Sequence, residues 1–110
     1  MAEHRHLTVL TTTDTEEEAK ALAAGAVEAR VAACAQIGGL VTSVYRWQGA
    51  TRTEREWQIL FKTTTARYAD LETYLKEAHT YDTPEIIATP IVTGSAAYLA
   101  WLEEETRPAE

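Results

Sequence analysis

The sequence predicts one α+β domain in which two helices cover one face of an antiparallel four-stranded sheet. Its 110 residues, 45% of them hydrophobic and 25% charged, are enough for a single ordinary core. Segments of two-residue and of helical periodicity follow one another in the order β-α-β-β-α-β, with one more helix at the end. Right-handed crossovers arrange that order as a split, ferredoxin-like fold. We therefore treat residues 1–110 as one domain.

The first strand and the first helix are predicted near the start of the chain. His6–Thr13 is rich in β-branched residues, as strands are. Thr15 and Glu18 then fit the S/T-x-x-E capping box, and apolar residues recur at helical spacing to about Ala29. Gly25 inside this helix costs about 1 kcal/mol relative to alanine, which predicts the close approach of a neighbouring element.

The middle of the chain predicts a long β-hairpin. The segment Ala32–Leu40 is small and apolar, and Val41–Gln48 alternates in polarity. A turn follows at 48–51, and the alternation resumes over Arg52–Thr64. A strand of about twelve residues spans about 40 Å, whereas a helix of about thirteen residues reaches only about 20 Å. Half of the hairpin is therefore expected to project past the helices.

The projecting part of the hairpin carries Tyr45, Trp47 and Trp57. Burial of a large aromatic side chain contributes roughly 1.5–3 kcal/mol, and exposed strands that carry aromatic residues favour association. We therefore predict that the hairpin pairs with a neighbouring subunit in a closed ring, because an open head-to-tail contact would form fibres. A hairpin that bends back over its own sheet is the alternative.

The second half of the chain predicts a helix, a short strand and a last helix. The helix covers Ala66–His79 and cannot continue through Pro84, because the residue before proline avoids helical geometry. Glu85–Ala88 reads as a short apolar strand, and Ala96–Glu105 as the final helix. The remaining residues, Arg107–Glu110, are expected to form a frayed tail.

Composition excludes several classes of function. The net charge of −7 disfavours nucleic-acid binding, which depends on Lys and Arg at phosphates. No stretch approaches the roughly 20 apolar residues of a membrane helix. Cys34 is the single cysteine and has no partner for a disulfide within the chain, and no export signal is recognisable. Both points indicate a cytoplasmic protein.

The usual catalytic motifs are also missing, so we predict that the chain is not an enzyme. The sequence has no G-x-S-x-G, G-x-x-x-x-G-K, H-E-x-x-H or C-x-x-C. Asparagine is absent, which weighs against the acylphosphatase version of the fold. The Lys/Arg-Gly-Phe/Tyr motif of the RNA-recognition version is missing too.

Two groups of residues are candidates for binding chemistry. His79, Tyr81 and Glu85 cluster around a predicted turn and are suited to hold a metal ion or a polar ligand, although His79 also suits a purely structural role at a helix C-terminus. Glu56 and Lys62 share one face of the third strand, where a buried pair of opposite charge would be a functional candidate. The alternative for Glu56 is a solvated strand face.

Cys34 opens the second strand in a small apolar context. A packed, inert thiol is one reading, because free cysteines are among the most buried residues. As a ligand, the thiolate would favour Cu(I) or Zn(II), but one thiolate is too few for a closed site.

Several motifs, in order and spacing, resemble the CutA family of divalent-cation tolerance proteins. They are Ala33-Cys34-Ala35, Ser43-Val44-Tyr45-Arg46-Trp47-Gln48-Gly49, Glu56 with Lys62-Thr63, His79-Thr80-Tyr81-Asp82-Thr83-Pro84-Glu85-Ile86, and Pro90-Ile91 with Gly94 and Tyr98-Leu99-Ala100-Trp101. The resemblance covers about Leu7 to Leu102. It implies a ferredoxin-like subunit in a tight homotrimer, related in architecture to the PII signalling proteins.

The resemblance also implies a function and a set of site residues. It implies a trimeric cytoplasmic protein that responds to metal ions and binds copper or another divalent cation, with no cofactor required. The implied metal ligands are Cys34, His79 and Glu85. The implied ligand-binding positions, expected in clefts between subunits, are Tyr45, Trp47, Glu56, Lys62, Tyr81, Glu85 and Trp101.

One departure from the family limits the copper site. Some members carry further cysteines, whereas this chain has only Cys34, so one subunit cannot form a site with several thiolates. Any copper site must then use His79, Glu85 or groups from a neighbour. The alternative function is a PII-like sensor that binds a small anionic metabolite, with Lys62 as its charge partner.

Overall fold

Residues 4–108, which the computed structural model describes, form four strands and three α-helices in the predicted order. The elements are β1 His6–Thr13, α1 Glu16–Glu28, β2 Cys34–Trp47, β3 Ala50–Thr64, α2 Tyr68–Ala78, β4 Ile87–Pro90 and α3 Ala96–Glu105. No helix among these residues is long and apolar enough to cross a membrane.

The four strands form one antiparallel sheet in the order β2-β3-β1-β4. The prediction of a ferredoxin-like α+β fold is therefore confirmed. One face of the sheet packs against α1 and α2 around the fully buried Val9, Ile59 and Phe61, which meet Leu71 and Leu75 of α2. Helix α3 lies against the other face, so this sheet has helices on both sides.

Local signals in α1 behave as the sequence predicts. The hydroxyl of Thr15 accepts a hydrogen bond from the backbone N–H of Glu18 at 3.1 Å, which caps the helix. A Cβ atom at Gly25 would lie 1.7 Å from the hydroxyl oxygen of Tyr74. The glycine therefore leaves the space that the Tyr74 side chain of α2 occupies against α1.

The two arms of the hairpin extend past the helices. Strands β2 and β3 have 14 and 15 residues, against 13 in α1, so each arm is about twice as long as the helix, which reaches about 20 Å. Positive φ angles at Gln48 (51°) and Gly49 (78°) form the tight turn. Val44 and Trp47 are 66% and 42% exposed, so the hairpin does not fold back over its own sheet.

A bulge in β2 changes which residues face the core. Gly38 pairs with Gln58 and Val41 pairs with Glu56, so two residues of β2 stand opposite the single residue Trp57. A Cβ atom at Gly39 would lie 2.4 Å from the Trp57 ring, and only glycine fits there. Because side chains alternate along a strand, odd-numbered residues after the bulge, such as Tyr45, face the side that even-numbered residues, such as Gln36, face before it.

The predicted bounds of two elements, β4 and α2, are wrong. Strand β4 spans Ile87–Pro90 instead of Glu85–Ala88, because its register is set by pairing with β1, where Ile87 stands opposite Leu10. Pro90 is tolerated because β4 is an edge strand. Helix α2 begins at Tyr68 after a 3-10 turn and ends at Ala78, so it is shorter than predicted at both ends.

The first residue of the predicted tail is held in place. Arg30, with φ at 63°, donates hydrogen bonds to the carbonyl oxygens of Arg107 (2.7 Å) and Glu104 (2.9 Å) at the end of α3. The last two residues of that tail, Ala109 and Glu110, lie outside the described residues.

Candidate functional site

A cleft of about 710 Å³ lies between the hairpin and the loop that joins α2 to β4. We call it the acidic cleft. It contains five of the seven predicted ligand-binding residues, namely Tyr45, Trp47, Glu56, Tyr81 and Glu85. The other lining residues are Thr12, Ser43, Val44, Thr80, Asp82 and Thr83.

Glu56 is the buried acid of this cleft. Glu56 is only 8% exposed. The alternative that it lies on a solvated strand face is therefore wrong. The phenol of Tyr81 donates a hydrogen bond of 2.9 Å to Oε2 of Glu56. The loop between α2 and β4 thus covers the carboxylate that β3 provides.

The environment of Tyr81 keeps its phenol protonated. Burial, the hydrogen bond to Glu56 and the negative charges of Glu56, Asp14 and Glu18 raise the pKa of Tyr81 above its ordinary value. All these causes disfavour a phenolate. Tyr81 therefore acts as a hydrogen-bond donor over the whole physiological pH range.

We expect the phenol of Tyr81 to ionise well above the pH of about 10 that is usual for tyrosine. The interactions that raise this pKa stabilise the folded protein below about pH 10. Their contribution is lost as the pH rises further, because the phenol then ionises in the unfolded chain first. Ultraviolet titration of tyrosinate checks this: Tyr81→Phe should remove a late-ionising phenol, and Glu56→Gln should lower the pKa of that phenol.

A matched control exists for this titration in α2. Burial and Glu72 raise the pKa of Tyr68, so Glu72→Gln should shift the titration of Tyr68 and leave that of Tyr81 in place. Loss of an ordinary, early-ionising phenol in Tyr81→Phe would contradict the described environment of Tyr81.

His79 holds the loop that carries Tyr81. Its Nε2 lies 2.8 Å from the backbone oxygen of Thr12, and its Nδ1 accepts the backbone N–H of Tyr81 at 3.1 Å. These partners fit the neutral ring with its proton on Nε2. The two rings also contact each other, with centroids 4.8 Å apart. His79 would have to release one of these bonds in order to bind a metal ion.

Three other predicted residues lie at a second place, near α3. Cys34 pairs with Lys62 across β2 and β3, and the sulfur of Cys34 lies 3.7 Å from the hydroxyl of Tyr98. The Lys62 ammonium lies 5.6 Å from the centroid of the Tyr98 ring, which in turn packs against Trp101 at 5.4 Å. Lys62 is six positions from Glu56, or about 20 Å along β3.

The predicted metal ligands are not gathered within one chain. Cys34 lies beside α3, Glu85 lines the acidic cleft, and His79 supports the loop. No group of three His, Cys, Asp or Glu side chains able to hold a metal ion occurs among residues 4–108. A single subunit therefore supplies at most part of a metal site.

The site reasoning from sequence did not include Asp82 and Thr12. Asp82 adds a carboxylate to the cleft, and Thr12 provides both a lining residue and the carbonyl that fixes His79. The position of Asp82 inside the His79–Glu85 motif was a usable signal. The role of Thr12 depends on a backbone contact between distant segments, for which the sequence carries no signal.

The chain was compared with known proteins. Residues 7–105 match the family model described as CutA1 divalent ion tolerance protein. The divalent-cation tolerance protein CutA of Thermus thermophilus is 45% identical over 98 residues, which cover 89% of this chain and 95% of that protein.

Solved structures give the same result. CutA1 from Oryza sativa superposes with a TM-score of 0.92 at 35% identity and covers 96% of this chain and 97% of that one. CutA from Archaeoglobus fulgidus, which is described as periplasmic, gives 0.89 at 30% identity, with 93% and 99% covered. The matching residues span nearly all of the fold described above. The chain therefore belongs to the CutA1 family of divalent ion tolerance proteins.

Proposed function

We propose that this chain acts in divalent-cation tolerance as a homotrimer that binds copper or another divalent metal ion in the clefts between its subunits. The observation that carries the proposal is the charge of the acidic cleft. Glu56, Asp82 and Glu85 line it, and no lysine, arginine or histidine is found among its described lining residues. Such a cleft attracts cations and repels anions.

The trimer is supported by apolar surface at both edges of the sheet. Strands β2 and β4 are the edges. Val44 of β2, Ile87 of β4 and Val92 just after it are 66%, 52% and 80% exposed. Exposed edges of this kind favour pairing with another chain, and a head-to-tail contact that closes gives a ring.

A cleft shared between two subunits would also complete the set of metal ligands that one subunit lacks. Divalent metal sites in proteins commonly use four or more ligands. One subunit offers Glu85, Asp82 and the nearly buried Glu56, and a neighbour would have to supply the remaining donors. Cys34, which is only partly buried, is the softest donor that a neighbour can bring to copper.

A PII-like sensor for an anionic metabolite is a second candidate, and Lys62 favours it. Lys62 forms no ion pair with another described residue, and its ammonium lies over the Tyr98 ring. An anion would bind there and not in the acidic cleft. We propose no catalytic step for either candidate. The cytoplasmic location stays a prediction, which cell fractionation tests.

Calorimetric titration of Cu(II) or Zn(II) into the tag-free assembled protein tests the metal proposal. We expect Glu85→Gln to weaken binding at least about tenfold, which corresponds to about 1.4 kcal/mol. Glu28→Gln, on the exposed end of α1, is the control of equal charge change and should bind as the wild type does.

Two results would contradict the metal proposal or narrow it. Wild-type affinity in both Glu85→Gln and Glu56→Gln would place the metal outside the acidic cleft. Unchanged affinity in His79→Ala would remove His79 from the set of ligands, as its bonds to Thr12 and Tyr81 lead us to expect.

A further inference from the structure

The carboxylate of Glu56 lacks a positively charged partner. Its Oε2 accepts the Tyr81 phenol, but among the described residues no hydrogen bond reaches Oε1 and no basic group forms an ion pair with the side chain. A cation placed against this side chain, which is 8% exposed, would pair with a carboxylate that has no other charged partner among the described residues. Because Glu56 lines the cleft, that cation has access to it.

The cleft follows the hairpin. Its wall includes residues from Ser43 to Trp47, which are about 13 Å apart at about 3.3 Å per residue. The carboxylates of the cleft are Asp82 and Glu85 on the loop and Glu56 on β3. A single metal ion would contact only a small part of such a surface.

The hairpin wall of the cleft is aromatic. Tyr45 and Trp47 are 40% and 42% exposed and both line the cleft. Aliphatic chains pack on such surfaces, and ammonium groups bind the faces of tyrosine and tryptophan rings. Neither property is useful for a bare metal ion.

We infer that the acidic cleft binds an elongated organic cation of the linear polyamine class. Such a molecule carries protonated amines for the three carboxylates and methylene segments for the aromatic side chains of the hairpin. An ammonium group at Glu56 would supply Oε1 with the charged donor that it lacks. This inference goes beyond metal binding and depends only on the cleft.

Calorimetric titration of the assembled protein with spermidine, at physiological salt so that exposed charges are screened, tests the inference. The control ligand is hexaamminecobalt(III), which has the same charge of about three at neutral pH but no methylene chain. We expect saturable binding of spermidine at least about tenfold tighter than that of the cobalt complex.

Matched variants locate the binding. Glu56→Gln retains an oxygen that accepts the Tyr81 phenol but removes the charge, and should weaken spermidine binding at least about tenfold. Glu28→Gln changes the net charge equally and should bind within about twofold of the wild type. Circular dichroism and sedimentation confirm that each variant is folded and assembled.

Three outcomes would overturn the inference. Equal affinity for spermidine and the cobalt complex would show that binding depends only on attraction by the net charge of −7. Wild-type affinity in Glu56→Gln would place the polyamine elsewhere. Absence of saturable binding would mean that a neighbour fills the cleft. Because Cu(II) titration of the same samples is read separately, metal binding without spermidine binding overturns this inference alone, and the reverse overturns only the metal proposal.

Discussion

Replacing Val44 by aspartate is expected to convert the assembled protein into monomers at micromolar concentration. Val44 is 66% exposed in the single chain and stands on the projecting hairpin that we propose to be covered by a neighbour. Burial of an unpaired carboxylate there costs several kcal/mol, and a closed ring repeats this cost at each of its interfaces. Sedimentation velocity measures the result directly.

The matched control for this change is Val27→Asp. Val27 is also exposed, at 38%, but lies on α1 outside the hairpin. We expect that variant to sediment as the wild type does. A Val44→Asp variant that keeps the wild-type sedimentation coefficient would show that the hairpin is not part of the interface.

Replacing Phe61 by alanine is expected to lower the free energy of unfolding by about 3–5 kcal/mol. Phe61 is fully buried on β3, in the core between the sheet and the helices α1 and α2. Its removal leaves a cavity that the surrounding side chains fill only in part. Since the free energy of unfolding of a domain is about 5–15 kcal/mol in total, this single substitution removes a large part of it.

Denaturant unfolding at equal subunit concentration checks the effect of Phe61→Ala, because assembly makes apparent stability depend on concentration. Val27→Ala, at an exposed position, should change the unfolding free energy by no more than about 0.5 kcal/mol. A loss below about 1 kcal/mol for Phe61→Ala would contradict the described core.

Much of the fold was predictable because local signals and tertiary structure agree. The observed β1 has the predicted bounds His6–Thr13, and the Thr15 cap starts α1 where the capping box indicates. The projecting hairpin follows from the length of its alternating segments. Strand β4 is different, because a four-residue edge strand takes its register from β1, and no local pattern records which residues will pair.

The bulge in β2 is the main feature of the fold that periodicity does not reveal. The sequence shows a small, apolar segment up to Leu40 and alternation from Val41 onward, but not that two residues would stand opposite Trp57. That one extra residue decides which side chains of β2 share a face with Glu56. The position of Glu56 on a strand does not by itself predict whether its side chain is buried.

The sequence did not indicate how the predicted site residues are grouped in space. The motif from His79 to Glu85 and the hairpin aromatics do meet in one cleft, but Lys62 and Cys34 lie near Tyr98 instead. Contacts between distant segments decide this separation. The same holds for His79, whose bonds to Thr12 and Tyr81 give it a supporting role that residue type alone does not distinguish from metal binding.

Sedimentation equilibrium of the wild-type protein at micromolar concentration tests the central claim most directly. The proposed homotrimer contains three copies, so the measured mass should be about three times the 12.2 kDa of one chain. A folded species of 12.2 kDa at that dilution would contradict the account, because the apolar edges would then need no neighbour and a cleft between subunits would not exist.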